Sequence, residues 1–368
     1  MRRPLNCLSI HGFSSIRDLE DFPLTSLNVL VGPNGAGKSN LVDFFRMLRA
    51  MVEGRLREFV TSSGGADGFF YGGPQETRQI TAHLVFGQNE YAFVLEPTVA
   101  GQMMVKNERT VCAGYPSKNH GGGQLESQLL QWKGQTSPVG SWRSAASYVY
   151  EAVSSWIVYH FHDTSNLAPM RREPSIHDWR RLNPDASNLA AFLYHLLAEQ
   201  PSRYQRIRET IQMVAPFLDD FLLEPQKKGE EELIRLQWRQ KGSSFPFQPW
   251  HLSDGTIRFI CLATALLQPD PPSTIVVDEP ELGLHPFALA VLASLFREAA
   301  SHTQLIVSTQ SASLLNDFEP EEVIVVDREA GASRFRRLES EPLQEWLEEF
   351  ALGELWQKNV IDGGPSHE

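Results

Sequence analysis

The groups in this chain best suited to phosphate chemistry are a lysine behind a glycine loop and two acids at the end of an apolar run. The loop is Gly32-Pro33-Asn34-Gly35-Ala36-Gly37-Lys38-Ser39, followed by Asn40. It fits G-x-x-x-x-G-K-[ST] without a mismatch. Its glycines let the backbone fold tightly so that successive N–H groups face the β- and γ-phosphates of a nucleotide. Lys38 would neutralise the β/γ oxygens, and the Ser39 hydroxyl would ligate magnesium. The expected cofactors are therefore ATP and Mg2+. The acids are Asp278 and Glu279, directly after the β-branched run from Ser273 to Val277. A buried strand ending in two acids delivers them to the carboxyl edge of a parallel sheet, where nucleotides bind. Asp278 would hold magnesium, directly or through water, and Glu279 would orient or deprotonate the attacking water.

Two further segments carry chemistry. Gln304 to Thr309 reads as another apolar strand with Gln310 at its end. A glutamine amide donates a hydrogen bond but takes no proton, so Gln310 is expected to position or sense and not to act as a base. His285 reads as a loop residue. Leu252-Ser253-Asp254-Gly255-Thr256 opens an apolar-periodic helix that continues through Ile257–Leu267. A helix N-terminus carrying Ser and Gly suits an anion, and Ser253 can equally be a plain N-cap.

Specific elements must position these groups. Leu27–Val31 ends at Gly32 as a short buried strand, and Leu41, Phe44, Phe45, Leu48, Met51 and Val52 recur at helical spacing after it. Strand, loop and helix are all supplied. Upstream, Leu8–Phe13 and Ser15–Leu19 read as a hairpin; Phe13 or Arg17 could lie near an adenine or simply pack the sheet. More than two hundred residues separate Ser39 from Leu252. That stretch has strand-like alternation at Ile80–Phe86, Tyr91–Leu95 and Leu233–Trp238, and helical patterns at Ala186–Glu199 and Arg203–Phe217. Residues 116–124, with Gly121 to Gly123, read as a flexible loop. His160 and His162 share a strand face with Asp163 next, which could make a metal site. Arg171, Arg172, Arg180 and Arg181 form the densest basic cluster, read as a solvated loop face before a nucleic-acid contact.

Taken in order, the glycine loop, the Leu252–Thr256 segment, Ile275-Val-Val-Asp278-Glu279-Pro280 and Val307-Ser-Thr-Gln310-Ser311 resemble the ABC-type ATPase superfamily. The resemblance is to the branch with SMC, RecF and OLD-type proteins, where the signature is often acidic at the position of Asp254. It covers about residues 1–60 and 245–330. The ending Trp346–Trp356 resembles that of small bacterial RecF/OLD-like ATPases without coiled-coil arms, and no sustained heptads fill the gap. The resemblance implies that Ser253 and Gly255 contact ATP bound by a second subunit, in a homodimer with ATP sandwiched between its heads. It implies that Gln310 stands where histidine is usual, and that Gln75 lies where such heads place a magnesium-contacting glutamine. The expected fold is α/β: an ABC-type P-loop head with a parallel-sheet core, an antiparallel β-subdomain and a helical insert. Expected boundaries are 1–60 and 245–338 for the ATPase core, 61–160 for the β-subdomain, 161–244 for the helical insert and returning strands, and 339–368 for the C-terminal helix and tail.

Composition narrows the remaining classes. The 368 residues suffice for one large core or two modest ones, and the net charge is −12. That charge argues against tight DNA binding by the isolated chain, although a local groove can still be basic. Cys7, Cys112 and Cys261 are scattered and odd in number, which fits a reducing, cytoplasmic setting. No apolar run reaches membrane-spanning length. The expectation is an ATPase, with slow turnover, whose head dimerisation gates a separate effector or nuclease in DNA maintenance or anti-phage defence. The alternatives are a RecF-like DNA clamp and a nucleotide-locked scaffold with negligible turnover.

Overall fold

The structure, a computed structural model, describes residues 3–133 and 144–364. The chain opens with β1 (Cys7–Phe13) and β2 (Ile16–Pro23), the expected hairpin, and β3 (Leu27–Val31) leads into α1 (Lys38–Val52) and α2 (Leu56–Ser62). Next come β4 (Ile80–Phe86), β5 (Asn89–Pro97), β6 (Met103–Cys112) and β7 (Lys118–Gly121), then α3 (Ala145–Ser155) and β8 (Ile157–Tyr159). The helices α4 (Leu189–Glu199) and α5 (Pro201–Val214) precede five short strands, β9 (Leu218–Leu222), β10 (Gln226–Lys228), β11 (Glu231–Leu233), β12 (Gln237–Gln240) and β13 (Pro246–Phe247). The last third holds α6 (Asp254–Leu267), β14 (Thr274–Asp278), α7 (Pro286–Ala300), β15 (Gln304–Thr309) and α8 (Ala312–Leu315). It closes with β16 (Val323–Glu329), β17 (Ala332–Arg337), α9 (Gln344–Leu347) and α10 (Leu352–Gln357).

One sheet runs β17-β16-β3-β15-β14-β8, parallel except for β17 at its edge. Its strands read as unbroken apolar runs because both faces are covered. Period-2 geometry divides them: Val29, Val31, Val277 and Val307 face one core with α4 to α7, whereas Leu30, Val276, Ile306 and Val326 face another with α1 and α3. The second core is roofed by the antiparallel sheet β2-β1-β4-β5-β6-β7. The architecture is α/β with an antiparallel second sheet, as the sequence led us to expect.

The sheets do not divide at residue 60. The hairpin β1–β2 belongs to the antiparallel sheet, because β1 pairs with β4 from Cys7↔Val85 to His11↔Thr81. Its apolar residues Leu8, Ile10, Phe13 and Ile16 all fall in the core shared with α1. Conversely β8, inside the stretch assigned to the β-subdomain, is an edge strand of the parallel sheet beside β14. The helices α4 and α5 share the core of α6 and α7, so this insert is continuous with the parallel-sheet core. Residues 116–124 also differ from expectation: β7 pairs with β6 through Thr110↔Lys118 and Arg109↔Asn119. An edge strand can form on backbone pairing alone, so its polar side chains hid it. Gly122 then lies so close that a Cβ there would be 1.8 Å from the Lys106 carbonyl oxygen.

Candidate nucleotide site

Strand order places three of the expected groups side by side. β3, β15 and β14 are neighbours, so the phosphate loop, Gln310 and the Asp278–Glu279 pair emerge from adjacent carboxyl ends. Gly37 is the N-cap of α1, in a left-handed conformation at φ 113°, and a Cβ there would lie 2.0 Å from the Ser333 hydroxyl. Gly35 also has positive φ but faces open space. The loop is braced from behind. Ser333 donates to the Ala36 carbonyl and shares a 2.6 Å hydrogen bond with Ser15, which also accepts from the Asn40 amide at 2.6 Å. Asn40, expected to touch nucleotide, therefore also anchors the loop to the hairpin turn.

Lys38 is buried, and its ammonium donates to the carbonyls of Gly32 at 2.6 Å and Pro33 at 3.0 Å. Burial pushes its pKa below the usual lysine value, and the charges of Glu279, Asp278 and Glu281 pull it back up. Ser39 is exposed at the start of α1, and Pro33, Asn34 and Ala36 complete the loop. Glycines at positive φ, a buried lysine near three carboxylates and an exposed serine match the chemistry of a magnesium–nucleotide site.

Asp278 ends β14 almost fully buried, with Oδ1 accepting from the Ser308 hydroxyl at 2.5 Å. Glu279 follows at φ 45°, unusual for a non-glycine residue, with its N–H donating to the Ser308 carbonyl at 2.8 Å. Such a conformation costs about 1 kcal/mol and turns the side chain off the strand axis. The Gln310 side-chain amide donates to Glu279 Oε1, so Gln310 touches the carboxylate it was expected to serve. Sequence reasoning missed Glu281. Its Oε1 accepts the Gln310 backbone N–H at 2.7 Å, while its buried Oε2 has no partner among the described residues. Burial raises its pKa. Its signal was present in Pro280-Glu281-Leu282, where an acid follows two acids and a proline.

Ser253 caps α6, its hydroxyl accepting from the Thr256 N–H at 3.2 Å. It is exposed, and among the described residues it makes no hydrogen bond to residues 32–39. Gly255 has a packing reason: a Cβ there would lie 2.2 Å from the Gly283 carbonyl oxygen, so α6 meets the loop after Glu279 backbone to backbone. Arg258, one turn on, donates to the carbonyls of Phe161 at 2.9 Å, His162 at 3.2 Å and Leu282. The basic cluster divides in three dimensions. Arg171 is buried and bonds the carbonyls of Thr164, Pro249 and Leu252 and the Asp254 carboxylate at 3.2 Å, whereas Arg172, Arg180 and Arg181 are exposed. It is a clamp on the signature turn and not part of a solvated face.

Other residues fall elsewhere. Gln75 is exposed in the turn after Tyr71, and no contact joins it to Asp278 or Ser39 among the described residues. Phe13 is fully buried, edge-on to Phe44 at 5.4 Å, which settles it as core; Arg17 is exposed beside Asp18. His285 N-caps α7 through Nδ1. His160 and His162 are 4.1 Å apart between ring centroids, and the acid beside them is Asp278; Asp163 instead accepts the Ser165 N–H at 3.0 Å. The ending Trp346–Trp356 runs from the last turn of α9 through most of α10, with the Trp356 indole donating to the Gly363 carbonyl at 2.5 Å.

Comparison with known proteins agrees with this fold. A family model, AAA_21, described as "AAA domain, putative AbiEii toxin, Type IV TA system", matches residues 27–95 and 142–316. Among solved structures, the chain is similar to an SMC head bound to the C-terminal winged-helix domain of ScpA. That match has TM-score 0.60 and 14% identity, covering 93% of this chain and 99% of the other. It is also similar to the SMC head with an extended coiled coil bound to the C-terminal domain of ScpA from Pyrococcus furiosus. There the TM-score is 0.52 and the identity 14%, covering 94% of this chain and 98% of the other. No curated protein matches at a significant level.

Proposed function

The chain belongs to the AAA_21 family and has the fold of an SMC-type ATPase head; from that premise we propose that it binds and slowly hydrolyses ATP, and that ATP-dependent pairing of two heads gates a partner protein. The observation that carries this reading is the convergence of Lys38, Asp278, Glu279 and Gln310 at adjacent strand ends. Residues 32–37 and Lys38 bind the phosphates, and Ser39 with Asp278 would hold magnesium. The ion supplies charge neutralisation at the β/γ oxygens. Glu279 accepts the proton of the attacking water, and Gln310, bonded to Oε1, fixes the direction in which the other carboxylate oxygen points. Slow turnover is motivated by Gln310, which positions but cannot take a proton.

Pairing in trans is supported by Ser253 and Gly255, exposed or half-exposed at a helix N-terminus that bonds nothing in its own phosphate loop. The similar SMC heads were each solved with a ScpA domain bound, which supports a protein partner for this head as well. Direct DNA reading through the four-arginine cluster loses Arg171, which is buried and occupied internally. The family resemblance supports a role in DNA maintenance or anti-phage defence, and the three scattered cysteines support a reducing, cytoplasmic setting; among the described residues no helix is long and apolar enough to cross a membrane.

The deciding experiment is ATP hydrolysis with and without linear double-stranded DNA, using Glu279→Gln as the blank. Turnover above the blank and indifferent to DNA supports a protein-gating switch. Stimulation by DNA would make the protein a reader of nucleic acid. Turnover no higher than the blank removes the hydrolytic reading.

A further inference from the structure

Beside the nucleotide site lie two histidines that ATP hydrolysis does not use, within reach of Asp278, which it does. His160 and His162 follow the end of β8, and at i,i+2 in extended chain their rings project to the same side. Each offers a nitrogen, and Asp278 a carboxylate oxygen, all within 4.8 Å of one another. Ligand atoms about 2.0–2.1 Å from a tetrahedral ion are roughly 3.3 Å apart, so modest side-chain rotation closes the set. The surroundings resemble an outer ligand shell: His162 Nε2 donates to the Asp278 carbonyl at 3.0 Å, and Ser308 holds Asp278 Oδ1. Arg46 opposes occupation, since its guanidinium donates to His160 Nδ1 at 3.3 Å. It is partly exposed and paired with Asp43 at 2.7 Å, so it can turn away.

We propose that His160, His162 and Asp278 form a binding site for one divalent transition-metal ion, zinc above all, and that filling it takes the Asp278 carboxylate away from nucleotide-bound magnesium. Two imidazoles select against magnesium, which prefers oxygen ligands, and three protein ligands leave one position open. Zinc would thus restrain the ATPase. This consequence rests on the proposed function; the binding itself does not.

Cobalt(II) is the probe, titrated into the nucleotide-free full chain carrying Cys7→Ser and Cys112→Ser, so that thiolates are not counted. The expected result is one cobalt per chain with visible ligand-field bands, competed off by zinc. His160→Gln and His162→Gln should each weaken binding about ten- to a hundredfold, and Arg46→Ala should tighten it. His160 is exposed, so its variant is expected to fold, as thermal unfolding would check. No cobalt bound, or an affinity in both histidine variants unchanged from that of the parent, overturns the site. Zinc should then lower magnesium–ATP turnover in the parent and much less in His160→Gln. Equal inhibition in both overturns the restraint. If the parent hydrolyses no ATP, the proposed function fails while the cobalt titration still decides the metal site.

Discussion

Glu279 and Glu281 are two carboxylates held by one residue and sent in different directions. Gln310 donates its side-chain amide to Glu279 and its backbone N–H to Glu281. Both residues are half-buried, but the Oε2 atom of Glu281 is itself buried with no hydrogen-bond partner among the described residues. Glu279→Gln keeps the Gln310 contact possible but accepts no proton, so turnover should fall by about a hundredfold or more in a steady-state assay. Gln310→Ala should lower turnover less, because the acid stays and only its orientation loosens. Glu281 makes a separate prediction about pH. Its folded pKa is raised, so in the window from the ordinary glutamate pKa up to that raised value the folded chain binds more protons than the unfolded one. Stability contributed by this group therefore falls as pH rises through the window. Glu281→Gln, which mimics the protonated acid and still accepts from Gln310, should raise the melting temperature at neutral pH and flatten its pH dependence. A melting temperature below that of the parent at neutral pH would show that the charged form is the stabilising one.

At the scale of elements, the N-terminus of α6 is held by a buried arginine and by a glycine-to-glycine contact, beyond its serine cap. Ser253→Ala should cost about 1 kcal/mol in denaturant unfolding, the ordinary value of an N-cap. Arg171→Ala strands the carbonyls of Pro249 and Leu252 and leaves Asp254 unpaired, so about 2–4 kcal/mol is expected. Gly255→Ala drives a Cβ into the Gly283 carbonyl, where neither backbone can yield. It should destabilise despite replacing glycine by a better helix former, a change that in an exposed helix gains roughly 1 kcal/mol. A neutral or stabilising Gly255→Ala would mean that α6 can shift away from the loop. Of these devices only the cap was legible in advance. The glycine read as an anion-site residue and Arg171 as surface charge, because neither the Gly283 carbonyl nor the Pro249 carbonyl is local to it.

For the whole molecule, the prediction concerns association. With ATP and magnesium, Glu279→Gln should accumulate as a dimer in sizing and light scattering, since the heads pair but do not release. Adding Ser253→Arg should leave the monomer folded, as judged by its melting curve, and abolish the dimer. A dimer that survives Ser253→Arg would place the second-subunit contact elsewhere. The two sheets and two cores give this head one rigid frame. β3 contributes Leu30 to one core and Val29 and Val31 to the other, so movement at the phosphate loop is resisted from both faces.

The sequence by itself determined the local chemistry: which loop could cradle phosphate, which strand ended in two acids, which helix began with serine. Each of these rests on contiguous residues and short-range backbone geometry. Only the tertiary structure decided adjacency. It set β15 between β3 and β14, moved the first hairpin into the antiparallel sheet, buried Arg171 against the signature turn and exchanged Asp163 for Asp278 beside the two histidines. These partners lie from 30 residues apart, as Thr274 and Gln304 do, to 278, as Leu27 and Leu305 do, beyond the reach of local periodicity, and come together only when apolar strands and helices bury their faces against one another.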